Sequence, residues 1–194
     1  MAAVSPIRVI IGLGNPGAEY LRTRHNVGFW FLDALAAEQR VSFRATRRFH
    51  GETVKARVAG EDVLLVKPDT FVNRSGQAAR AVLDFFKYSP AEVLVVHDDL
   101  DLPAGTVRVK RGGGHGGHNG LRDIISHIGD GFARLRFGIG HPGGQPAVID
   151  YVLGTPRREE EDAILDAFAA AFAELPHLVE GDFDAAARAL HNRK

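Results

Sequence analysis

The sequence contains no cysteine. Disulfides, zinc–thiolate centres, iron–sulfur ligation and a thiol nucleophile are therefore excluded together. No apolar run approaches the ~20 residues of a membrane-spanning helix. Met1 to Val4 show no basic stretch leading into an apolar one, so no secretory leader is expected. A cytoplasmic protein without a membrane partner is the reading these absences favour. No repeat, low-complexity segment or linker interrupts the 194 residues. That length suits a single domain, 1–194, with its own core. Two catalytic signatures are also missing. The serines sit in no G-x-S-x-G elbow, and there is no H-E-x-x-H to hold zinc.

Net charge is absent too, with 24 basic and 24 acidic residues. Taken alone, neutrality argues against a nucleic-acid partner. The distribution argues otherwise. Nine acidic residues and no Lys or Arg lie between Glu159 and Asp184, which leaves the rest of the chain with 24 basic and 15 acidic residues. A neutral chain with that asymmetry can still present a basic working face. An acidic, merely solvated surface helix explains the same numbers.

Ile7 to Leu13 is a short β-branched run closed by Gly and Pro, which predicts a buried strand. Asn26 is placed to cap a helix from Val27 to about Gln39. Val54–Val58 and Val63–Val66 flank Gly60 as a hairpin, and Pro68 stops its second strand. Asn73 to Gly76 is a turn, after which Ser75 is expected to cap a helix with Ala78, Val82, Phe85 and Phe86 on one face. Further strands are expected at Val93–Val96, Val107–Lys110 and Leu135–Ile139. Leu121, Ile124, Ile125 and Ile128 mark another helix. Thr155-Pro156 predict a helix start ahead of Ile164, Phe168, Phe172 and Leu175, and a last helix runs from about Phe183 to Leu190. The alternation predicts an α/β fold: a mixed, largely parallel twisted sheet with helices on both faces. In such sheets, sites collect in the loops beyond the carboxyl ends of the strands.

Those loops hold the unusual residues. Gly12 to Gly17 match G-x-G-x-x-G after a strand, the dinucleotide pattern. A charged segment, Glu19 to Arg24, intervenes before the helix, and no acidic residue ends the second strand. A tight turn that presents the Asn15 amide is the competing explanation. His25 ends that loop. His97-Asp98-Asp99-Leu100-Asp101 follow an apolar strand. Carboxylates there are costly unless used, either to orient a histidine or, with His97, His115 and His118, to hold a metal; turn chemistry before Pro103 is the plainer alternative. Gly112 to Gly120 contain six glycines in nine residues. Backbone amides there, beside Arg108, Lys110 and Arg111, suit phosphate, as in nucleotide or RNA backbone.

Taken together, these segments resemble the bacterial peptidyl-tRNA hydrolase family. The matching stretches are Gly12–Phe29 (GLGNPGAEYLRTRHNVGF), Lys67–Gly76 (KPDTFVNRSG), Val96–Gly105 (VHDDLDLPAG), Gly112–Asp123 (GGGHGGHNGLRD), Leu135–Pro142 (LRFGIGHP) and Tyr151–Pro156 (YVLGTP). They occur in the family's order and span nearly the whole chain. The resemblance implies an ester hydrolase acting on peptidyl-tRNA, freeing tRNA for reuse in translation, with no cofactor and no metal. It implies His25 as catalytic base and Asp98 as its partner. Asn15, Tyr20, Asn73, His118 and Asn119 become substrate contacts, and Lys110, Arg136 and Arg108 contacts to tRNA phosphate. A monomer is the expectation. Val72 departs from the family's methionine, which alters packing under Asn73 and leaves the chemistry alone. Gln39 to Glu52 carry no motif. Two other classes stay open: an RNA-binding protein of the same fold that lacks catalysis, and a nicotinamide oxidoreductase.

Overall fold

A computed structural model describes residues 5–144 and 147–193. Met1 to Val4, on which the expectation of no leader rests, lie outside the described residues. The first strand, β1 (Val9–Gly12), is buried at all four positions. A strand with no wettable face has to lie between two layers, and its side chains do alternate between two cores. Ile10 packs into one, while Val9 and Ile11 pack into the other.

Around β1 the sheet reads β2 (Arg44–Thr46), β3 (Gly51–Val58), β4 (Glu61–Pro68), β1, β5 (Val93–Asp99), β7 (Ala133–Gly138) and β6 (Val107–Arg111). The central β4, β1, β5 and β7 are parallel. β2 and β3 at one edge and β6 at the other pair antiparallel. The expected mixed, largely parallel sheet is thus found with its parallel part in the middle.

Helices α1 (Val27–Glu38), α5 (Arg158–Ala173), α6 (Leu175–Glu180) and α7 (Phe183–His191) cover one face. Helices α2 (Gly76–Phe86) and α3 (Asn119–Ile128) cover the other. On the first face, Phe31 meets Phe137, Phe168 and Phe172 with ring centroids 5.0 to 5.4 Å apart. Deleting a ring so placed costs about 3–5 kcal/mol. A short helix, α4 (Val148–Val152), stands beyond the carboxyl end of β7. No helix among the described residues is long and apolar enough to cross a membrane.

The expected strands and main helices are found, joined by an unexpected strand β2, but three expected caps are not made. Asn26 makes no side-chain cap to α1; its carboxamide binds the backbone of Asn15 instead. Ser75 lies in helical conformation and donates to the Val72 carbonyl, while the Asp123 carboxylate takes the Gly76 N–H at 2.7 Å. The helix expected from Thr155 begins at Arg158, where Glu160 accepts from the Arg157 N–H. Leu175 belongs to the separate α6.

Candidate active site

Two glycines set the site. A Cβ on Gly28 would stand 2.4 Å from the Val96 carbonyl oxygen and 2.5 Å from the Leu13 nitrogen, and one on Gly12 would stand 2.5 Å from the Gly28 oxygen. Only glycine lets the first turn of α1 sit against the carboxyl ends of β1 and β5. That contact carries His25, just ahead of α1, to Asp98 at the end of β5. Arg24 fixes the loop from the other side. Its guanidinium donates to the Tyr151 carbonyl at 3.0 Å and to Glu160 at 2.9 Å, and lies 3.9 Å over the Tyr151 ring.

Asp98 is 2% exposed and binds two imidazoles. His25 Nδ1 lies 2.9 and 3.0 Å from its two oxygens, and His118 Nε2 lies 2.9 Å from Oδ1. Burial pushes the Asp98 carboxyl up, but the two histidines outweigh it and hold the group well below the usual carboxylate range. An ionised carboxylate only accepts, so His25 carries its proton on Nδ1 and presents the Nε2 lone pair. Burial opposes charging of His25; the Asp98 charge and hydrogen bond prevail, and its pKa is raised above 6.5. His118 differs. Its Nδ1 accepts from the Gly120 and Leu121 N–H groups at 3.1 and 3.3 Å, capping α3. That nitrogen is therefore unprotonated, and Nε2–H is the donor to Asp98.

Beside this trio lies a cavity of about 290 Å³. His25, His97, Asp98 and His118 meet it on one side, Lys110, Arg134 and Arg136 on another, and Val148, Ile149 and Val152 of α4 close it. Lys110 is exposed, whereas Arg136 is paired with Asp99 at 2.8 Å. Arg108 is not brought to the cavity. It donates to the His191 carbonyl of α7 at 3.2 Å.

The asparagines divide. Asn119, exposed at the start of α3, lines the cavity. Asn15, Asn73 and Tyr20 stand outside its lining. Asn15 is buried, and its side-chain oxygen accepts from the Val72 N–H at 2.8 Å. That contact leaves the NH₂ as the group it has to offer. Asn73 is exposed in the adjoining turn Val72–Arg74. Tyr20 meets Phe71 edge-on at 6.1 Å. Val72 itself is buried against Gly120.

Sequence reasoning missed two residues here. Arg134 is 2% exposed and donates to the carbonyls of Gly113 and Gly114, so it shapes the glycine loop from beneath. It shares a strand face with Arg136, and that period of two was its one available signal. His97 entered only as a possible metal ligand. It is buried, donates through Nδ1 to the Asp98 carbonyl, and meets His118 at 5.2 Å between centroids. Burial, then the neighbouring His118, lower its pKa to about 3.

Of the residues considered for a metal, Asp98 and His118 do converge, with His25. Their ligand atoms lie within 4.8 Å of one another, the one such group among the described residues. All three are already joined by hydrogen bonds through the carboxylate. The glycine pattern at Gly12–Gly17 leads into two short turns, Ala18–Tyr20 and Arg24–Asn26, before α1 begins. A dinucleotide loop opens directly into its helix, so this geometry does not favour a nicotinamide cofactor.

The family model for peptidyl-tRNA hydrolase matches residues 9–194. The chain is 49% identical over 188 residues to the peptidyl-tRNA hydrolases of two Neisseria gonorrhoeae strains, covering 96% of this chain and 98% of theirs. Crystal structures of the Acinetobacter baumannii peptidyl-tRNA hydrolase and of a point mutant of it superpose with TM-scores of 0.95 and 0.96. They are 43% and 42% identical and cover 100% of this chain and 99% of their own. Sequence and fold agree over essentially the full length, and the chain belongs to the peptidyl-tRNA hydrolase family, enzymes of the carboxylic ester hydrolase class.

Proposed function

We propose that this protein hydrolyses the ester between peptide and tRNA with a water activated by His25, and that the step needs no metal. The observation that carries the proposal is the His25–Asp98 contact, which leaves Nε2 of His25 as a lone pair at the cavity wall. An ester expels an alkoxide more readily than an amide expels an amine, so one well-held base suffices. Nε2 takes a proton as the water oxygen bonds to the ester carbon. The tetrahedral intermediate then expels the ribose oxygen, which takes that proton back from Nε2. The products are a free tRNA hydroxyl and a peptide carboxylic acid, which ionises to its carboxylate by releasing a proton to solvent. General-base help of this kind contributes ~10²–10⁴ in rate.

The side-chain N–H of Asn73 or Asn119 serves the developing oxyanion. Being uncharged, these groups leave the titration of His25 undisturbed. Asn15, Tyr20 and His118 complete the walls that hold the peptide end and the terminal nucleotide. Lys110 and Arg136 take tRNA phosphate; Arg108, turned toward α7, contributes through the general field. The protein works as a cytoplasmic monomer without a cofactor.

The test is hydrolysis of an N-acetylated aminoacyl-tRNA by His25→Ala. Turnover should fall at least about a hundredfold, with tRNA affinity within about twofold of the parent. Wild-type turnover in that variant would refute the base assignment. Activity should persist after exhaustive chelation, and loss that a divalent ion restores would refute the metal-free step.

A further inference from the structure

The segment without a sequence motif, Gln39 to Glu52, builds a surface that the catalytic reading does not use. β2 is the outer strand of the sheet, and its Arg44 is exposed. The turn that follows, Arg47–Phe49, exposes Arg47 and Arg48 and buries Phe49. Phe49 supports Phe85 of α2 at 5.3 Å, edge to face, and Phe85 is left 53% exposed. The Arg48 guanidinium lies over the Phe85 ring at 4.9 Å. Behind it, Phe86 stacks on Tyr88 at 5.2 Å and 11°. The acidic side chains of the flanking elements are occupied: Glu52 of β3 pairs with Lys67, and Asp84 of α2 with Arg80. Arg44, Arg47 and Arg48 are in no ion pair among the described residues.

Charge on an outer strand often serves only to keep sheets apart. That explains Arg44 and does not explain a half-exposed phenylalanine with a guanidinium laid across it. Position adds to the case. Gly51 pairs with Pro68 at the carboxyl end of β4, so Arg47 and Arg48 stand at the same end of the sheet as His25. They lie on the opposite flank of the cleft from Lys110 and Arg136. Four strand spacings separate β3 from β7, roughly 19 Å at ~4.8 Å each.

We infer that Arg44, Arg47, Arg48 and Phe85 form a second RNA contact, in which an unpaired base lies against the Arg48–Phe85 stack and flanking phosphates meet Arg44 and Arg47. Aromatic rings and guanidinium planes accept bases of any sequence, and cations already in water give up little hydration to bind phosphate. The inference rests on the proposed function only in taking RNA as the partner class.

The experiment measures binding of labelled deacylated tRNA and of a short unstructured poly-uridine RNA to the full chain at several salt concentrations. Phe85→Ala should weaken binding about tenfold, and Phe85→Trp should restore it. The double variant Arg47→Ala/Arg48→Ala changes only exposed side chains. It should weaken binding and flatten the log–log salt slope by about 0.7 for each phosphate no longer neutralised. Both variants should hydrolyse an N-acetylaminoacyl ester on a short CCA oligonucleotide at the parental kcat. Unchanged affinity and slope in both would overturn the inference. So would parental affinity for both RNAs combined with a raised KM for N-acetylaminoacyl-tRNA, which would assign the surface to the peptide. Failure of the unmodified protein to cleave peptidyl-tRNA would instead sink the proposed function, and the binding comparison would still be readable.

Discussion

His118 holds Asp98 with one ring nitrogen and the first turn of α3 with the other. Both of its ring nitrogens are thus engaged, whereas Nε2 of His25 has no hydrogen-bond partner among the described residues. Of the two histidines on Asp98, His25 is therefore the one with a ring nitrogen free to act in a reaction.

The two duties of His118 are separable by mutation. His118→Ala removes both and should cost about 1 kcal/mol in urea unfolding, the usual effect of deleting a helix cap. His118→Asn keeps a capping acceptor and should recover most of that stability. Both variants lack the second donor to Asp98, which strengthens its hold on His25 and moves the acid limb of kcat/KM upward. An unmoved limb in the Asn variant would show that His118 is coupled to packing alone.

As the proposed base, His25 must be unprotonated at Nε2 to act. Because the His25 pKa is raised by Asp98, the rate should climb with pH through a value above 6.5. Asp98→Asn removes the raising charge, so the limb should move down. The same change frees the tautomer, and kcat should fall at least about a hundredfold. A pH–rate profile of both proteins checks direction and size together.

His97 makes a prediction about stability. It is neutral when folded, with a pKa of about 3, and in the unfolded chain it titrates near 6.5. Between those values the unfolded state binds the extra proton, so stability falls as pH drops from 6.5 toward 3. Asp98 adds acid sensitivity only below the ordinary carboxylate value of 3.8, since its folded pKa is depressed. His25, charged in both states below 6.5, contributes a constant there. The window from pH 6 to 4.5 thus reports His97 together with His191, whose pKa burial and the neighbouring Arg108 and Arg136 also lower. His97→Asn should flatten the dependence of urea midpoint on pH in that window, and an unchanged slope would locate the acid sensitivity elsewhere.

The cations should separate by where they point. Lys110→Ala should raise KM and flatten its salt dependence, by about 0.9 in slope for one duplex phosphate. Arg108→Ala, whose guanidinium is engaged with α7, should change KM much less. Equal effects would mean that Arg108 leaves His191 when tRNA binds.

Much of this was legible from sequence because hydrophobic period is local. β1, the β3–β4 hairpin and α3 are set by runs that a strand or helix must bury. What escaped is what tertiary contact decides. Asn26 has the chemistry of a helix cap, but the buried backbone of Asn15, eleven residues earlier, needed its carboxamide more. Asp123 caps α2 from another helix altogether. Arg134 sits in the core, where charge is least expected, because two glycine carbonyls take its terminal N–H groups, although its buried Nε has no partner among the described residues. β2 has three residues and no buried face to announce it. The dyad needed Gly12 against Gly28, and the meaning of that spacing appears only when helix and strand are seen in contact.

Arg24, the residue next to His25, ties their turn to α4, the wall of the cavity, and to α5 behind it. Wall and base are in this sense one mechanical unit. For inhibitor discovery, a compound that prises α4 outward would disturb His25 while occupying none of the substrate's own contacts. Screens that score only competition with substrate would pass it over. Assays that follow the His25 ring signal by NMR would register it.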